Sequence, residues 1–246
     1  MKPMKKLVLA TVVLVKTLTP NYLLLVLDIG EKINITAGQF AALAVPSVYL
    51  RRPFSIHDID GTKLSFLVKI IGQGTQKLTE LKTGDKISVM YPLGQGFQLT
   101  AKSAVLVGGG TGVAPLLLLA KQLKNKPTVI LGGRTKDDIV QLEEFAKYAK
   151  VKITTEDGSL GTKGLVTAEL KNISPDVQIY ACGPEPMLKA LHKLAAEQKI
   201  ALQLSLEAVM ACGVGACLGC VTQTKKAGNI CVCSEGPVFK AEDLPW

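Results

Sequence analysis

The 246-residue sequence lacks any uninterrupted apolar run of the ~18 residues that a membrane-spanning helix needs. Aromatic side chains make up only 5% of it and are rarely interleaved with the lysines, which argues against a nucleic-acid-binding surface. The amino terminus is basic and then apolar, as in a signal peptide, but Lys16 interrupts the apolar run and no small-residue cleavage pattern follows. We therefore expect a cytoplasmic protein that contacts neither membrane nor nucleic acid.

Cysteine is scarce in the first 205 residues, which contain only Cys182, and frequent in the last 35 residues. The five cysteines there are Cys212, Cys217, Cys220, Cys231 and Cys233. The net charge of +9 lies in the rest of the chain, since residues 206–246 carry 3 basic and 4 acidic side chains. In a reducing compartment, clustered cysteines indicate a metal site rather than disulfides. The basic remainder is expected to hold phosphate-bearing ligands.

Short strands separated by turns characterise residues 1–99. The predicted strands are Leu7–Val15, Tyr22–Asp28, Phe40–Val45, Arg52–Ile59, Lys63–Lys69 and Lys86–Tyr91, with one helix at Thr75–Leu81. Six short strands without long helices between them predict a small six-stranded antiparallel barrel.

Strands alternate with helices from residue 100 to residue 205. The predicted strands are Ala104–Val107, Thr128–Leu131, Val151–Thr154 and Val177–Ala181, and the predicted helices are Val113–Leu123, Asp138–Lys147 and Glu185–Gln198. This alternation predicts a doubly wound parallel sheet, and hence a multidomain β plus α/β protein. Residues 206–246 are too short and glycine-rich to build a core, so we expect whatever their cysteines bind to organise them.

The first three tail cysteines follow a C-x4-C-x2-C pattern, and a fourth comes after ten or twelve intervening residues. This is the plant-type [2Fe–2S] arrangement, in which one loop provides three ligands. Gly213, Gly215 and Gly219 are expected to give that loop its tight turns. The alternatives are a structural zinc site, which usually pairs two C-x2-C hooks, and cysteines without a ligand.

Either Cys231 or Cys233 can provide the fourth ligand on spacing alone. We favour Cys233, because a turn is expected where it precedes Ser234 to Pro237. Cys231 is then expected to point to the opposite face of a short strand.

Two glycine-containing loops join predicted strands to predicted helices. In the first, Gly109, Gly110, Thr111 and Gly112 are expected to approach a pyrophosphate at a helix start. The alternative is a purely structural turn. The second loop, Cys182-Gly183-Pro184, lies at the same sheet edge, where Cys182 faces either the site or, as a small apolar residue, the core.

The barrel contributes Arg51-Arg52-Pro53-Phe54-Ser55, where the arginines can clamp a pyrophosphate and the Ser55 hydroxyl can bond a flavin edge. Gly72-Gln73-Gly74-Thr75 precedes the one predicted barrel helix and is a second candidate phosphate site. Each motif alone also fits a solvated face or a turn.

The order RPFS, GQGT, GGGTGVAP and ACGPEPM resembles the ferredoxin–NADP reductase superfamily over residues 1–205. The tail, with MACGVGACLGC and CSEGPVF, is similar to that of the electron-transfer subunits of class 1B, NAD-dependent dihydroorotate dehydrogenases. The resemblance implies an FAD-binding barrel at 1–99, an NAD-binding domain at 100–205 and a [2Fe–2S] module at 206–246.

The resemblance also implies roles for single residues. Those expected at FAD are Arg52, Pro53, Phe54, Ser55, Leu67, Val68, Lys69, Gly74 and Thr75. Those expected at NAD are Gly109, Gly110, Thr111, Gly112, Cys182, Gly183 and Pro184. Ser55 and Cys182 are expected beside the reacting atoms. The implied cluster ligands are Cys212, Cys217, Cys220 and Cys233, although the gap before the fourth is shorter than in the family and Cys231 is extra.

In the family, a catalytic partner subunit oxidises dihydroorotate on FMN, and electrons pass through the cluster and FAD to NAD. The expected assembly is a heterotetramer of two of each chain. Two other functions stay open: a related reductase that serves ferredoxin, sulfide or hydrogenase partners, and a non-enzymatic, zinc-stapled nucleotide-binding module. The choice between NAD and NADP is also open, because Arg134 suits a 2′-phosphate while Glu156 and Asp157 suit a ribose diol.

Overall fold

The structure is a computed structural model and describes residues 4–32, 34–100, 102–170 and 173–246. It contains two seven-stranded sheets and a two-stranded hairpin. The first sheet is antiparallel, with the order β4-β3-β7-β1-β2-β6-β5, and β4 also contacts β6, so that the sheet curls into a barrel. Its strands are β1 (Lys6–Thr19), β2 (Tyr22–Asp28), β3 (Phe40–Leu43), β4 (Arg52–Ser55), β5 (Asp58–Asp60), β6 (Lys63–Lys69) and β7 (Lys86–Leu93), with helix α1 (Gln73–Thr79) between the last two.

The barrel architecture was predicted correctly, but the sheet has seven strands instead of six. The predicted strand Arg52–Ile59 is divided into β4 and β5. The backbone of Ile56 donates to the carbonyl of Gln39, beside β3, and the next residue, His57, donates to the carbonyl of Ser65 on β6. The chain therefore changes its pairing partner between two consecutive residues, and an apolar run does not reveal such a change.

The second sheet has the order β11-β10-β9-β8-β12-β13-β16, and every strand in it is parallel to its neighbours except the edge strand β16. Its strands are β8 (Ala104–Gly109), β9 (Thr128–Gly133), β10 (Lys150–Thr155), β11 (Thr162–Lys163), β12 (Gln178–Cys182), β13 (Ala201–Ser205) and β16 (Val238–Lys240). The helices around it are α2 (Leu116–Leu123), α3 (Leu142–Tyr148) and α4 (Glu185–Gln198), with 3-10 turns at Gly110–Val113, Lys136–Asp138 and Val166–Leu170. The predicted doubly wound sheet is confirmed.

The tail is attached to both sheets. It forms the hairpin β14 (Val221–Thr224) and β15 (Gly228–Cys231), the short helix α5 (Val232–Glu235), strand β16 and a 3-10 turn at Ala241–Asp243. Strand β16 pairs antiparallel with β13, and on the barrel side Gln95 donates to the carbonyl of Gly236. Buried tail side chains such as Cys233 and Phe239 share a core cluster with Leu204 of β13. The tail therefore completes the core of the second sheet.

Helix α2 fills the junction between the barrel and the second sheet. Its four consecutive leucines, Leu116, Leu117, Leu118 and Leu119, are all buried, so the helix is enclosed on every side. The backbone of Leu118 donates to the carbonyl of His57, and Lys121 pairs with Asp58 at 2.6 Å. The His57 ring is buried and Nδ1 lies 2.7 Å from the carbonyl oxygen of Ala114; burial lowers the pKa of this ring, which keeps it neutral at pH 7.

None of the helices in the described ranges is both long and apolar enough to cross a membrane.

The buried position of α2 predicts a large cost for truncating one of its leucines. In Leu117→Ala we expect the free energy of unfolding to fall by about 2–5 kcal/mol, because a cavity is left between two sheets. Urea denaturation followed by circular dichroism measures it. The matched control is Leu9→Ala on β1, where the side chain is 66% exposed, with an expected change within about 0.5 kcal/mol. Equal losses in both variants would contradict the enclosure of α2.

Candidate functional site

The candidate site lies where the parallel strands of the second sheet end against the barrel. The ends of β8, β12 and β13 are in register, with Cys182 opposite Gly108 on one side and Ser205 on the other. Ligands of doubly wound folds bind outside the carboxyl ends of such strands. Two cavities open at this edge.

The first, here called the flavin-side cavity, has a volume of about 260 Å³. It is lined by Phe40, Pro53, Phe54, Ser55 and Leu67 of the barrel, by Thr111, Ala114, Cys182 and Ser205 of the second-sheet domain, and by Leu206, Glu207, Ala208, Met210 and Pro237 of the tail. The structure therefore brings together the predicted residues Pro53, Phe54, Ser55, Leu67, Thr111 and Cys182. The predicted Val68 is fully buried in the barrel core.

Cys182 and Glu207 are the titratable groups of this cavity. Burial raises the pKa of the Cys182 thiol to about 12, so it stays protonated at neutral pH, and it lies within hydrogen-bonding reach of Ser205. Glu207 is partly exposed, but the removal of water from its carboxyl group raises its pKa above that of an ordinary glutamate. Sequence reasoning missed Ser205 and Glu207. Their position just after a strand that ends at the same edge as Cys182 was the available signal.

The predicted phosphate residues of the barrel lie together at its surface. A Cβ placed on Gly74 would lie 3.2 Å from Nε of Arg52, so the guanidinium group lies directly against this backbone. The Thr75 hydroxyl accepts hydrogen bonds from the amides of Ile71 and Gly72 and closes the first turn of α1. Thr75 thus shapes the loop, while Arg52 is the charged group beside it.

The second, here called the nucleotide-side cavity, has a volume of about 400 Å³. Its lining residues come from the ends of four strands and include Gly109, Gly110, Gly132, Gly133, Arg134, Asp138, Glu156, Pro184 and Met187. Gly109 and Gly112 belong to the predicted glycine loop, and both are needed for close approach. A Cβ on Gly109 would lie 2.6 Å from Sδ of Met187, and one on Gly112 would lie 2.1 Å from the carbonyl oxygen of Cys182. The two predicted loops therefore pack directly against each other, with Gly183 between them at a φ of 159°.

A polar cluster crosses from the barrel to the second sheet at the rim of this cavity. One carboxylate oxygen of Asp138 accepts from Lys69 at 3.0 Å and from the Tyr22 hydroxyl at 3.4 Å. The other accepts from the backbone amide of Arg134 at 3.2 Å and from its Nε at 3.3 Å. These cationic and amide partners outweigh the effect of burial and lower the pKa of Asp138. Lys69, which the resemblance places at FAD, lines the nucleotide-side cavity.

The tail cysteines are connected by hydrogen bonds from backbone amides to sulfur. The sulfur of Cys212 accepts from Val214 and Cys217, each at 3.4 Å, and these amides lower the pKa of its thiol to about 6. The sulfur of Cys220 accepts from the amide of Cys233 at 3.4 Å, and the sulfur of Cys233 accepts from Gly215 at 3.1 Å. The four predicted ligands thus lie as two linked pairs.

The loop turns through residues with left-handed backbones. Gly213 and Gly215 have φ values of 69° and 87°, as their prediction as turn residues requires. The third left-handed residue is Leu218, with a φ of 57°, rather than the predicted Gly219. Leu218 is also 66% exposed, which leaves an apolar side chain in solvent between Cys217 and Cys220.

The prediction that Cys231 points away from the other cysteines is wrong. Strand β15 ends at Cys231 and α5 begins at Val232, so the two-residue alternation of a strand does not apply. The sulfur of Cys231 lies 4.0 Å from the carbonyl oxygen of Gly215, and the amide of the same glycine donates to the sulfur of Cys233.

The donor set fits a [2Fe–2S] cluster. Within the described ranges, no three His, Cys, Asp or Glu side chains lie close enough together to hold a single metal ion. A [2Fe–2S] cluster divides four ligands between two irons, so it needs two pairs rather than one group. The pairs Cys212 with Cys217 and Cys220 with Cys233 meet this need, and the surrounding amides stabilise sulfur that carries negative charge.

Comparison with known proteins identifies two parts of the chain. Residues 207–245 match the family model described as the iron-sulfur cluster binding domain of dihydroorotate dehydrogenase B. Residues 106–193 match the model of the oxidoreductase NAD-binding domain. The two matches contain the cysteine loop and the glycine loops.

Three curated relatives extend the similarity to most of the chain. A protein of Geobacillus sp. (strain WCH70) is 42% identical over 252 residues, covering 95% of this chain and 96% of the relative. One of Streptococcus mutans is 40% identical over 250 residues, with the same coverage. One of Caldanaerobacter subterraneus subsp. tengcongensis is 41% identical over 213 residues, covering 84% and 86%. All three are named dihydroorotate dehydrogenase B (NAD(+)), electron transfer subunit.

Solved structures show the same fold. A structure of an NADH-dependent reduced ferredoxin–NADP oxidoreductase, reported for flavin-based electron bifurcation, has a TM-score of 0.87 at 28% identity and covers 100% of this chain and 92% of its own. The ferredoxin reductase in carbazole 1,9a-dioxygenase has a TM-score of 0.72 at 20% identity, covers 81% and 68%, and shows the fold alone. The fold is ferredoxin–NADP reductase-like, and its matches support FAD, NAD and a [2Fe–2S] cluster as cofactors of an oxidoreductase. With two matching family models and relatives above 40% identity over most of its length, the chain belongs to the family of electron transfer subunits of dihydroorotate dehydrogenase B.

Proposed function

We propose that this chain passes electrons from the FMN of a dihydroorotate-oxidising catalytic subunit, through a [2Fe–2S] cluster and FAD, to NAD. The observation that carries the proposal is the composition of the flavin-side cavity. Thr111 of the glycine loop lines it on one side, and Met210, two residues before Cys212, lines it on another. One cavity thus borders both the nucleotide loop and the cysteine loop.

The cofactors supply the redox chemistry: a flavin exchanges hydride with a nicotinamide and single electrons with an iron–sulfur cluster. The chain's own residues position these groups. Ser55 presents a hydroxyl to the cavity, and the protonated Cys182 presents a neutral, compact thiol rather than a nucleophile. Glu207 is the one ionisable carboxyl group in the lining, and the removal of water from that group raises its pKa.

The remaining predicted site residues have positions that suit the two nucleotides. Arg52, against Gly74 and the turn closed by Thr75, is proposed to contact the FAD pyrophosphate, with Pro53, Phe54, Ser55, Leu67 and Val68 around the flavin. Gly109, Gly110, Thr111, Gly112, Gly183 and Pro184 are proposed to line the NAD path beside Cys182. Lys69 is now proposed to face the nucleotide-side cavity, where it pairs with Asp138.

The partner is proposed to dock around the cysteine loop. Val209, Leu218 and Val221 are large apolar side chains that are exposed near the cluster ligands. Burying such side chains is favourable, and a partner there would bring its own redox centre close to the cluster.

We propose a heterotetramer of two of each chain. The six free thiols suit a reducing compartment, so we place the assembly in the cytoplasm. We also propose that the domains divide near residues 99 and 205.

The function is tested by reconstitution with a family catalytic subunit. Addition of dihydroorotate and NAD to the two purified chains should yield NADH, and removal of either chain should abolish its formation. Purified alone, the chain should show flavin absorption with a broad iron–sulfur shoulder. A colourless, zinc-containing chain would overturn the proposal, and NADH-dependent reduction of ferredoxin without any response to dihydroorotate would favour the related ferredoxin-linked reductase.

Ser55 is predicted to orient the flavin for hydride transfer. In Ser55→Ala, we expect the rate of flavin reduction by NADH in stopped flow to fall roughly tenfold or more, since small misplacements of reacting groups are costly. FAD content and thermal stability should stay near those of the unchanged chain. Ser103→Ala, at an exposed position just before β8, is the matched control. An unchanged rate would remove Ser55 from the site.

Asp138 is predicted to set the preference for NAD over NADP. Its carboxylate pairs with Lys69 and Arg134, so these two cations are partly neutralised at the cavity rim. In Asp138→Asn, we expect the KM for NADPH to fall about tenfold, because an uncompensated cation attracts the 2′-phosphate, while the KM for NADH changes little. Asp137→Asn, at the exposed neighbouring position, should change neither value. Parallel changes for both nucleotides would contradict this role.

A further inference from the structure

Cys231 is the tail cysteine that the proposed ligand set does not use. It ends β15, where it pairs with Val221 of the hairpin, and its side chain is buried. A buried free cysteine often behaves as a small apolar residue. Cys231 shares its buried cluster, however, with Cys220 and Cys233, two of the proposed ligands.

The peptide unit of Gly215 lies beside both Cys231 and Cys233. Its N–H group donates to the sulfur of Cys233 at 3.1 Å, and its carbonyl oxygen lies 4.0 Å from the sulfur of Cys231. Cys231 and Cys233 therefore approach the same residue of the cysteine loop.

The backbone fixes this arrangement. The residue between the two cysteines, Val232, donates its amide hydrogen to the carbonyl of Cys220 at 2.9 Å, and the amide of Cys233 donates to the sulfur of Cys220 at 3.4 Å. The junction between β15 and α5 is therefore held against Cys220. Cys231 lies directly before Val232 in the chain, and Cys233 lies directly after it.

We propose that Cys231 is a reserve ligand of the cluster, able to replace Cys233 on the iron that Cys220 binds. This inference rests on the proposed [2Fe–2S] cluster. In the exchange, an iron–sulfur bond to Cys233 breaks and one to Cys231 forms. The thiol proton of Cys231 passes to the released Cys233 thiolate, so neither the charge nor the oxidation state of the site changes. Cys231 is the one spare thiol in the tail, because the sixth cysteine, Cys182, lies in the flavin-side cavity.

Alanine variants of the full chain test the proposal, because alanine cannot bind iron. We expect Cys231→Ala to keep the full iron and acid-labile sulfide content. Cys233→Ala should keep at least about half of both, with shifted g values in the electron paramagnetic resonance spectrum of the dithionite-reduced protein. The double variant and the matched control Cys217→Ala should lose the cluster. FAD content, measured in every variant, reports whether the chain has folded.

Two results would overturn the reserve ligand. One is loss of the cluster from Cys233→Ala while FAD and the Cys231→Ala cluster are retained. The other is loss from Cys231→Ala alone, which would make Cys231 the primary ligand. Absence of any cluster from the unchanged chain would instead refute the proposed function.

If Cys233→Ala does not fold, the nearly isosteric Cys233→Ser replaces it. The spectrum of Cys233→Ser should then change when Cys231→Ala is added, because the thiolate ligand is removed and only the serine oxygen remains. An identical spectrum with and without Cys231 would also overturn the proposal.

Discussion

The antiparallel pairing of β16 with β13 holds the tail where the rest of the site needs it. On one side of this pairing, β13 ends at Ser205 and continues to Glu207 in the flavin-side cavity. On the other, the chain before β16 contains Cys233 and the turn at Pro237, which also lines that cavity. Single-electron transfer weakens steeply with distance, so the cluster must lie close to the flavin. A tail too short for its own core obtains this placement by joining the core of the second sheet.

The sequence was informative where a local pattern sets the chemistry. The C-x4-C-x2-C spacing and the glycine loop identified residues that the structure brings to one sheet edge, and Ser55 and Cys182 line one cavity although 127 positions separate them. Prediction was silent where the decisive partner is distant in sequence. The resemblance assigned Lys69 to FAD, and no local pattern shows that its ammonium group pairs with Asp138, 69 residues later. The orientation of Cys231 depends on the change from β15 to α5 directly after it, which no local pattern in the sequence marks.

The Lys69–Asp138 pair is better understood as a positioning device than as a source of stability. Removing two charges from water costs several kcal/mol per ion, and the attraction between them often does no more than offset that cost. The pair here also accepts bonds from Tyr22 and from the backbone of Arg134, so nearly every lone pair of the carboxylate is used. Because nearly all hydrogen-bonding positions of the carboxylate are used, these bonds favour one relative placement of the barrel and the second sheet. A cavity that lies between the two requires such a fixed placement.

The two cavities differ in the number of charged residues that line them. The nucleotide-side cavity is lined by Lys69, Arg134, Asp138 and Glu156, whereas Glu207 is the one charged residue lining the flavin-side cavity. This difference supports the proposal that phosphate and ribose groups bind beside charged partners, and that the reacting rings bind among mostly apolar or neutral groups such as Phe54, Cys182 and Met210. Hydride transfer requires close ring contact and few competing water molecules, and a cavity with little fixed charge provides both. Gly112 of the loop between the cavities, where a Cβ would collide with the Cys182 carbonyl, keeps the two loops in direct contact and the two cavities close together.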